Sequence, residues 1–249
     1  MISSALHRLL IHTPAFYRWL LRATGRGSLE KRVFLKLIGP GQVVCDAGAN
    51  HGDFTALFAD LVGNKGEVHA FEPGPETFAL LTETVGERKN CRLNQAALGE
   101  ASGVAVLHQP GSDDGQASLR EHTQGSWVRS EEVRHHECRV RTLDEYTLGF
   151  QRLDFLKCDV EGAELLVLRG AQATLARFSP VLFVEVYAEW SKAFDYSPAD
   201  LIAFLVAAGY ETFYLADAGL RRLEPEELVA GPANLLCAKK GTLPDGLEA

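Results

Sequence analysis

Val43-Val44-Cys45-Asp46-Ala47-Gly48-Ala49-Asn50-His51-Gly52-Asp53-Phe54-Thr55 runs from an apolar stretch to an acid, a Gly-x-x-x-Gly turn and a helix start. A second apolar run, Val68-His69-Ala70-Phe71, ends in Glu72-Pro73. An apolar strand stopping at an acid, followed by a glycine turn and a helix, makes a nucleotide-type ligand site. The acid at the tip of the next strand then lies where a ribose would. Gly48 and Gly52 permit backbone angles that a Cβ disfavours and let a ligand approach the main chain. The helix expected over 53–62 points its free N–H groups into the turn.

The same residues discriminate between ligands. A dinucleotide site directs those donors at a pyrophosphate and usually carries a third glycine, whereas Asn50 holds that middle position here. Asp46 beside a pyrophosphate would meet like charge. S-adenosylmethionine offers an ammonium for Asp46, directly or through water, and a carboxylate for the turn's N–H groups, while Glu72 takes the ribose hydroxyls. The expected cofactor set is Asp46, Gly48, Asn50, Gly52, Thr55, Glu72, Pro73, Gln95, Ala96 and Asp159. Within it, Gln95 and Ala96 are assigned to the adenine ring, with Asn94 beside them, by analogy with the fold.

The chain has 249 residues, 46% hydrophobic and 23% charged, which suits one α/β domain with a full core. A net charge of −8 argues against nucleic acid as the partner. Arg120, Arg129, Arg134, Arg139 and Arg141 gather mid-chain and read as a solvated segment. The five cysteines show no metal or redox spacing, and Cys45, Cys158 and Cys237 lie in apolar runs, as expected of a cytoplasmic protein. No apolar run is long enough for a transmembrane segment. Residues 1–38 read as an N-terminal helical extension. Its amphipathic stretch, interrupted near Pro14, is expected to pack on the main domain or to make a homodimer, with peripheral membrane contact as the lesser reading.

Residues 39–249 read as the main domain, with strand and helix patterns alternating as in a mostly parallel sheet covered on both faces. Strands are expected near 42–47, 67–72, 91–97, 137–143, 153–160 and 181–187, with helices over 53–62, 75–86, 164–177 and 198–208. Tyr210–Leu215 and Asn234–Lys240 read as a closing antiparallel pair, and Gly103–His108 either extends the sheet or pairs as a hairpin. Residues 109–134, rich in Gly, Ser, Asp, Gln and Arg, read as a variable loop or lid on the substrate side.

A second constellation, Lys157-Cys158-Asp159-Val160-Glu161-Gly162-Ala163-Glu164, sets three acids and a lysine at one strand end. Ligands in open α/β sheets bind beyond such ends. Acids buried there cost free energy unless paired, so Asp159 and Glu161 are the first candidates for orienting or deprotonating an acceptor. Glu185, ending the next strand, is the third. Glu164 is explained by the helix dipole alone, and Lys157 is expected to pair with one of the acids. A magnesium-type ion would suit these carboxylates, but no spacing demands one, so no metal ligands are assigned. His135 and His136 point apart on a strand and read as surface residues; His51 reads equally as turn filler or ligand contact.

Asp46-Ala47-Gly48-Ala49-Asn50-His51-Gly52 is similar to the Asp-x-Gly-Ala-Asn-x-Gly turn of the FkbM family of S-adenosylmethionine-dependent methyltransferases. Phe71-Glu72-Pro73-Gly74-Pro75 and Phe78 resemble its Phe-Glu-Pro-x-Pro motif. Thr142-Leu143-Asp144, Lys157-x-Asp159-Val160-Glu161-Gly162-x-Glu164 and Val167-Leu168-x-Gly170 complete the pattern, which covers roughly Val43 to Leu215. The resemblance implies a Rossmann-like class I methyltransferase fold: seven strands, mostly parallel, with an antiparallel C-terminal strand. It also implies O-methylation of a hydroxyl on a sugar or small natural product. Residues 111–134 match no family pattern, which leaves the acceptor open. Two other readings are a non-catalytic methyltransferase-like module and an NAD-type oxidoreductase. The intact acids count against the first, and the missing third glycine and Tyr-x-x-x-Lys dyad against the second.

Overall fold

The computed structural model describes residues 28–111, 114–123, 127, 132–216, 219–223 and 233–243. Residues 1–27, on which the homodimer and membrane-contact readings rest, lie outside them. The described chain runs α1 (Leu29–Leu37), β1 (Val43–Ala47), α2 (Asp53–Val62), β2 (Glu67–Phe71), α3 (Pro75–Val85), β3 (Cys91–Asn94), β4 (Ala97–Leu98), β5 (Gly103–Pro110) and β6 (Val133–Arg141). It continues through α4 (Leu143–Tyr146), β7 (Phe155–Cys158), α5 (Glu164–Arg169), α6 (Gln172–Phe178), β8 (Val181–Val186) and α7 (Ala188–Ser191). α8 (Pro198–Ala207), β9 (Tyr210–Ala216), β10 (Gly219–Arg222) and β11 (Ala233–Lys239) complete it. Local chemistry marks several boundaries. Pro75 sits in the first turn of α3 and Gly86 ends it, while Ser197 and Asp200 form a capping box at α8.

The main sheet has the order β3-β2-β1-β7-β8-β11-β9-β10. Its first five strands are parallel, and β11 runs antiparallel to both β8 and β9. Strand order reverses at β1, flanked by β2 and β7, and that reversal opens a crevice at their carboxyl ends. The expected seven strands are present, and β10 adds an eighth at the edge by folding back on β9.

Three local expectations change. The third strand ends at Asn94, not Ala97, and Ala97–Leu98 joins a separate small sheet of order β4-β6-β5. In that sheet β5 and β6 pair from Gly103↔Val140 to Pro110↔Val133, so both ends of the expected 109–134 loop are strand. The helix expected over 164–177 breaks at Gly170. A Cβ there would lie 2.0 Å from the Gly99 carbonyl oxygen, and the Gly170 carbonyl accepts from Asp144 N.

The end of the expected extension belongs to the core. In α1, Phe34 is fully buried with its ring edge-on to Phe54, Phe58, Phe155 and Phe183, the last at 4.8 Å between centroids. Burying such a ring contributes about 1.5–3 kcal/mol. All five cysteines are unpaired. Among the described residues no helix is long and apolar enough to cross a membrane.

Candidate active site

The cleft at the ends of β1, β2 and β7 has a cavity volume of about 70 Å³, below the roughly 300–1,000 Å³ usual for small-molecule sites. Gly48, Asn50, Glu72, Pro73, Ala96–Leu98 and Asp159–Glu161 form its inner wall, and Leu107, Gly115 and Ala117–Leu119 its outer wall. Past Gly48 a second hollow is lined by residues 48–54, Lys157 and Asp159.

Gly48 has φ +77°, and a Cβ on it would lie 1.7 Å from the Asp159 carbonyl oxygen, so the turn and the β7 loop touch backbone to backbone. Gly52 caps α2 in the left-handed region. The turn's N–H groups, expected to hold a ligand carboxylate, are largely used internally. Gly48 N and Ala49 N donate to Phe71 O, Asn50 N to Glu72 and Gly52 N to Ala49 O. The donors left to face the second hollow are therefore at the amino end of α2, with Lys157 beside them already paired to Asp46 and Asp159.

Glu72 is buried, and burial raises its pKa against the opposing pull of its hydrogen bonds. Oε1 accepts from Gly74 N at 2.9 Å and Thr77 Oγ1 at 2.8 Å; Oε2 accepts from Asn50 N at 2.9 Å. A carboxylate has about four acceptor positions, so one position on Oε2 remains for a ligand hydroxyl.

Three expected contacts are corrected. Asp46 and Thr55 are each 0% exposed and line neither hollow. The Thr55 hydroxyl donates to Asp46 Oδ2 at 2.6 Å, and Asp46 Oδ1 lies 3.6 Å from Lys157 Nζ. Asp46 thus acts on Lys157 rather than on a ligand. Gln95 is exposed and lies outside the cleft lining, whereas its neighbour Ala96 is buried within it. Gln95 falls between β3 and β4, at a tight turn in which Ala96 N donates to Asn94 O.

The acids do converge. Lys157 Nζ sits 2.9 Å from Asp159 Oδ2 and donates to Gly48 O at 3.2 Å. Burial pulls the lysine pKa down, but Asp159 and Asp46 outweigh it and hold it above its ordinary value. Burial raises the Asp159 carboxyl while Lys157 and a hydrogen bond from Glu185 lower it further, for a net decrease. Glu185 is raised to about 9 by burial and by the Asp159 charge. Glu161 is raised well above its ordinary value by burial and the neighbouring acids, and its Oε2 is buried without a hydrogen-bond partner. Oxygens of Asp159, Glu161 and Glu185 lie within 4.8 Å of one another. At neutral pH Asp159 is therefore ionised, between a lysine and a protonated glutamate, Glu185.

Sequence reasoning missed what shapes the Glu161 loop. Glu161 has φ +56°, a strained region for a residue with a side chain. Its carbonyl accepts from Ser118 Oγ at 2.7 Å and lies 3.0 Å from His122 Nε2. Glu164, read as a dipole partner only, accepts from Val160 N and Gly162 N at 3.1 Å each and from Tyr196 OH at 3.0 Å. The Glu-Gly-x-Glu spacing is the signal that could have found it.

The shared proton makes stability depend on pH. Glu185 keeps its proton in the fold up to about 9, yet would lose it near 4.5 when unfolded. Between those values the native state binds more protons, so stability falls as pH rises. Glu185→Gln is expected to flatten that decline, gaining in Tm on the wild type between about pH 5 and pH 9. Melts showing the same difference at every pH would refute the shared-proton arrangement.

Comparison with known proteins bears on this geometry. The chain is 27% identical over 175 residues to the 2-O-methyltransferase NoeI of Sinorhizobium fredii, covering 65% of this chain and 70% of that protein. It is 47% identical over 66 residues to the 31-O-demethyl-FK506 methyltransferase FkbM of Streptomyces tacrolimicus, covering 26% of this chain and 25% of that one. A crystal structure of a methyltransferase FkbM from Methylobacillus flagellatus superposes with TM-score 0.46 at 17% identity, over 79% of this chain and 43% of that chain. The Methyltransferase FkbM domain matches residues 46–212. That span begins at Asp46 within β1, takes in the glycine turn, Glu72 and the Asp159 cluster, and closes in β9. The chain belongs to the FkbM family of S-adenosylmethionine-dependent methyltransferases.

Proposed function

We propose that the protein transfers the methyl group of S-adenosylmethionine to a hydroxyl oxygen of a small-molecule or saccharide acceptor. The observation that carries this reading is the ionised carboxylate of Asp159 in the cleft wall, held by Lys157 at 2.9 Å and backed by protonated Glu185. Two relatives named as O-methyltransferases support the choice of oxygen.

In this reading Gly48, Asn50, Gly52, Pro73 and Ala96 shape the cofactor pocket. Glu72 accepts one ribose hydroxyl at its open position, and the start of α2 takes the methionine carboxylate. Methyl transfer from a sulfonium is an in-line displacement whose main requirement is an acceptor oxygen about 3 Å from the methyl carbon. The acceptor hydroxyl donates a hydrogen bond to Asp159, which turns an oxygen lone pair toward the methyl. As the C–O bond forms, the S–C bond breaks, its electron pair neutralises the sulfonium, and the hydroxyl proton passes to Asp159. Glu185, already protonated, keeps Asp159 ionised, and Glu161, whose carboxyl pKa is pushed up by burial and the neighbouring acids, faces a second acceptor oxygen. The unpaired cysteines suit a reducing, cytoplasmic setting.

Asp159→Asn tests the assignment. Turnover should fall roughly 10²-fold, while S-adenosylmethionine affinity, read by calorimetry, stays near the wild-type value. Equal losses in both would assign Asp159 to cofactor binding alone. Acceptor screening covers monosaccharides and hydroxylated natural products, with and without magnesium. Failure of wild-type protein to bind either S-adenosylmethionine or S-adenosylhomocysteine would favour the non-catalytic module.

A further inference from the structure

Outside the cleft, the small sheet gathers a second set of donor groups. The β5–β6 register sets His108 directly opposite His135, with ring centroids 4.9 Å apart at 81°. Glu121, on the segment between these strands, places Oε1 3.2 Å from His108 Nδ1 and 3.3 Å from His135 Nε2. All three ligand atoms lie within 4.8 Å of one another. The neighbouring His136 faces elsewhere, toward Glu76 at 3.7 Å.

We propose that His108, Glu121 and His135 bind a divalent transition-metal ion of the zinc type. Zinc bonds of about 2.0–2.2 Å to nitrogen and oxygen in a tetrahedron put adjacent ligand atoms about 3.3 Å apart. Both nitrogen–oxygen separations match that spacing before any side chain moves. His108 Nδ1 is sheltered from solvent and makes no well-formed hydrogen bond, so a lone pair directed at an ion satisfies it. Two imidazoles and one carboxylate favour zinc, cobalt or nickel, whereas magnesium and calcium prefer all-oxygen sets. The side chains of Glu121 and His135 are 58% and 53% exposed, which provides an entry path and a fourth position for water.

The site is coupled to the cleft through the backbone. Ser118 exchanges two hydrogen bonds with His108, at 2.8 and 2.9 Å, and its hydroxyl reaches the Glu161 carbonyl. His122, next to Glu121, contacts the same carbonyl. An ion on Glu121 would therefore pin the segment carrying Ala117, Ser118 and Leu119, the outer wall of the cleft, to the small sheet at a second point. Metal binding by these three side chains depends on neither the acceptor nor methyl transfer.

The test uses full-length protein stripped with a chelator and titrated with zinc against a chromophoric competitor. The expected result is one tightly bound equivalent, with visible cobalt bands typical of a four-coordinate nitrogen–oxygen site. Excess magnesium should not compete. His135→Ala and Glu121→Gln change exposed side chains, so their metal-free melts should match the wild type. Each should weaken zinc binding at least tenfold and abolish the zinc-dependent rise in Tm. Zinc protection of residues 114–123 from proteolysis should vanish with it. No zinc binding by the wild type would overturn the proposal. So would unchanged affinity in both variants, or loss of the bound equivalent on Glu185→Gln, which would place the ion among the cleft acids.

Discussion

Lys157→Met is expected to lower Tm by on the order of 10 °C, a large effect for a single change. Lys157 is 2% exposed and Asp46 0% exposed. Their separation of 3.6 Å, with Asp159 at 2.9 Å on the other side, makes the ammonium the shared counter-charge of two acids. Removing one member of a buried ion pair costs about 3–5 kcal/mol, because the partner stays buried and uncompensated. The Thr55 hydroxyl on Asp46 Oδ2 cannot replace a full charge. Lys157→Met combined with Asp46→Asn should recover much of the loss, since no charge is then stranded at β1. The lysine's pKa is raised by the fold, so its stabilisation is complete below its ordinary value of 10.5 and is lost only as pH climbs above that. A single-variant loss below about 1 kcal/mol would mean that water reaches Asp46 and that the pair is not buried.

Gly48→Ala is expected to abolish S-adenosylmethionine binding in calorimetry. Two separate costs apply. At φ +77° any residue with a Cβ is strained, by about 1 kcal/mol. The added carbon would also lie 1.7 Å from Asp159 O, a backbone atom with no rotamer to yield. Relief requires the glycine turn and the β7 loop to part, which splits the inner wall of the cleft between Gly48 and the acids of Asp159–Glu161. Gly41→Ala is the control, because Gly41 has φ +81° and nothing within 4 Å of its would-be Cβ. It should show the strain cost in Tm with cofactor affinity unchanged. Retained binding by Gly48→Ala would show that the close approach at Asp159 is dispensable to the site.

Features encoded within a few residues are legible in the sequence. The strand–turn–helix at 43–62, the acid ending β2, Pro75 opening α3 and the parallel core follow from apolar periodicity, glycine and proline positions, all local constraints on the backbone. So does the grouping of Asp159 and Glu161, which share one loop. Legibility fails where direction, not identity, matters. Thr55 and Asp46 border the turn as ligand contacts would, yet their side chains face the interior. Gln95 follows β3, where an adenine contact is expected, and one change of chain direction carries it to the surface.

Strand and helix order, the place of the glycine turn and the acid set are written into the order of residues, because backbone preference and apolar period act over short spans. Which charges meet is a matter of tertiary structure. Lys157 lies far along the chain from Asp46, and only the β1–β7 register makes them partners. The β5–β6 register does the same for His108 and His135, and Ser118 reaches Glu161 only after that small sheet has formed. Pairing register and burial are properties of packed elements. They set the distances and the local dielectric that turn a list of acids and bases into an ionised carboxylate, a buried lysine and a closed wall around the cleft.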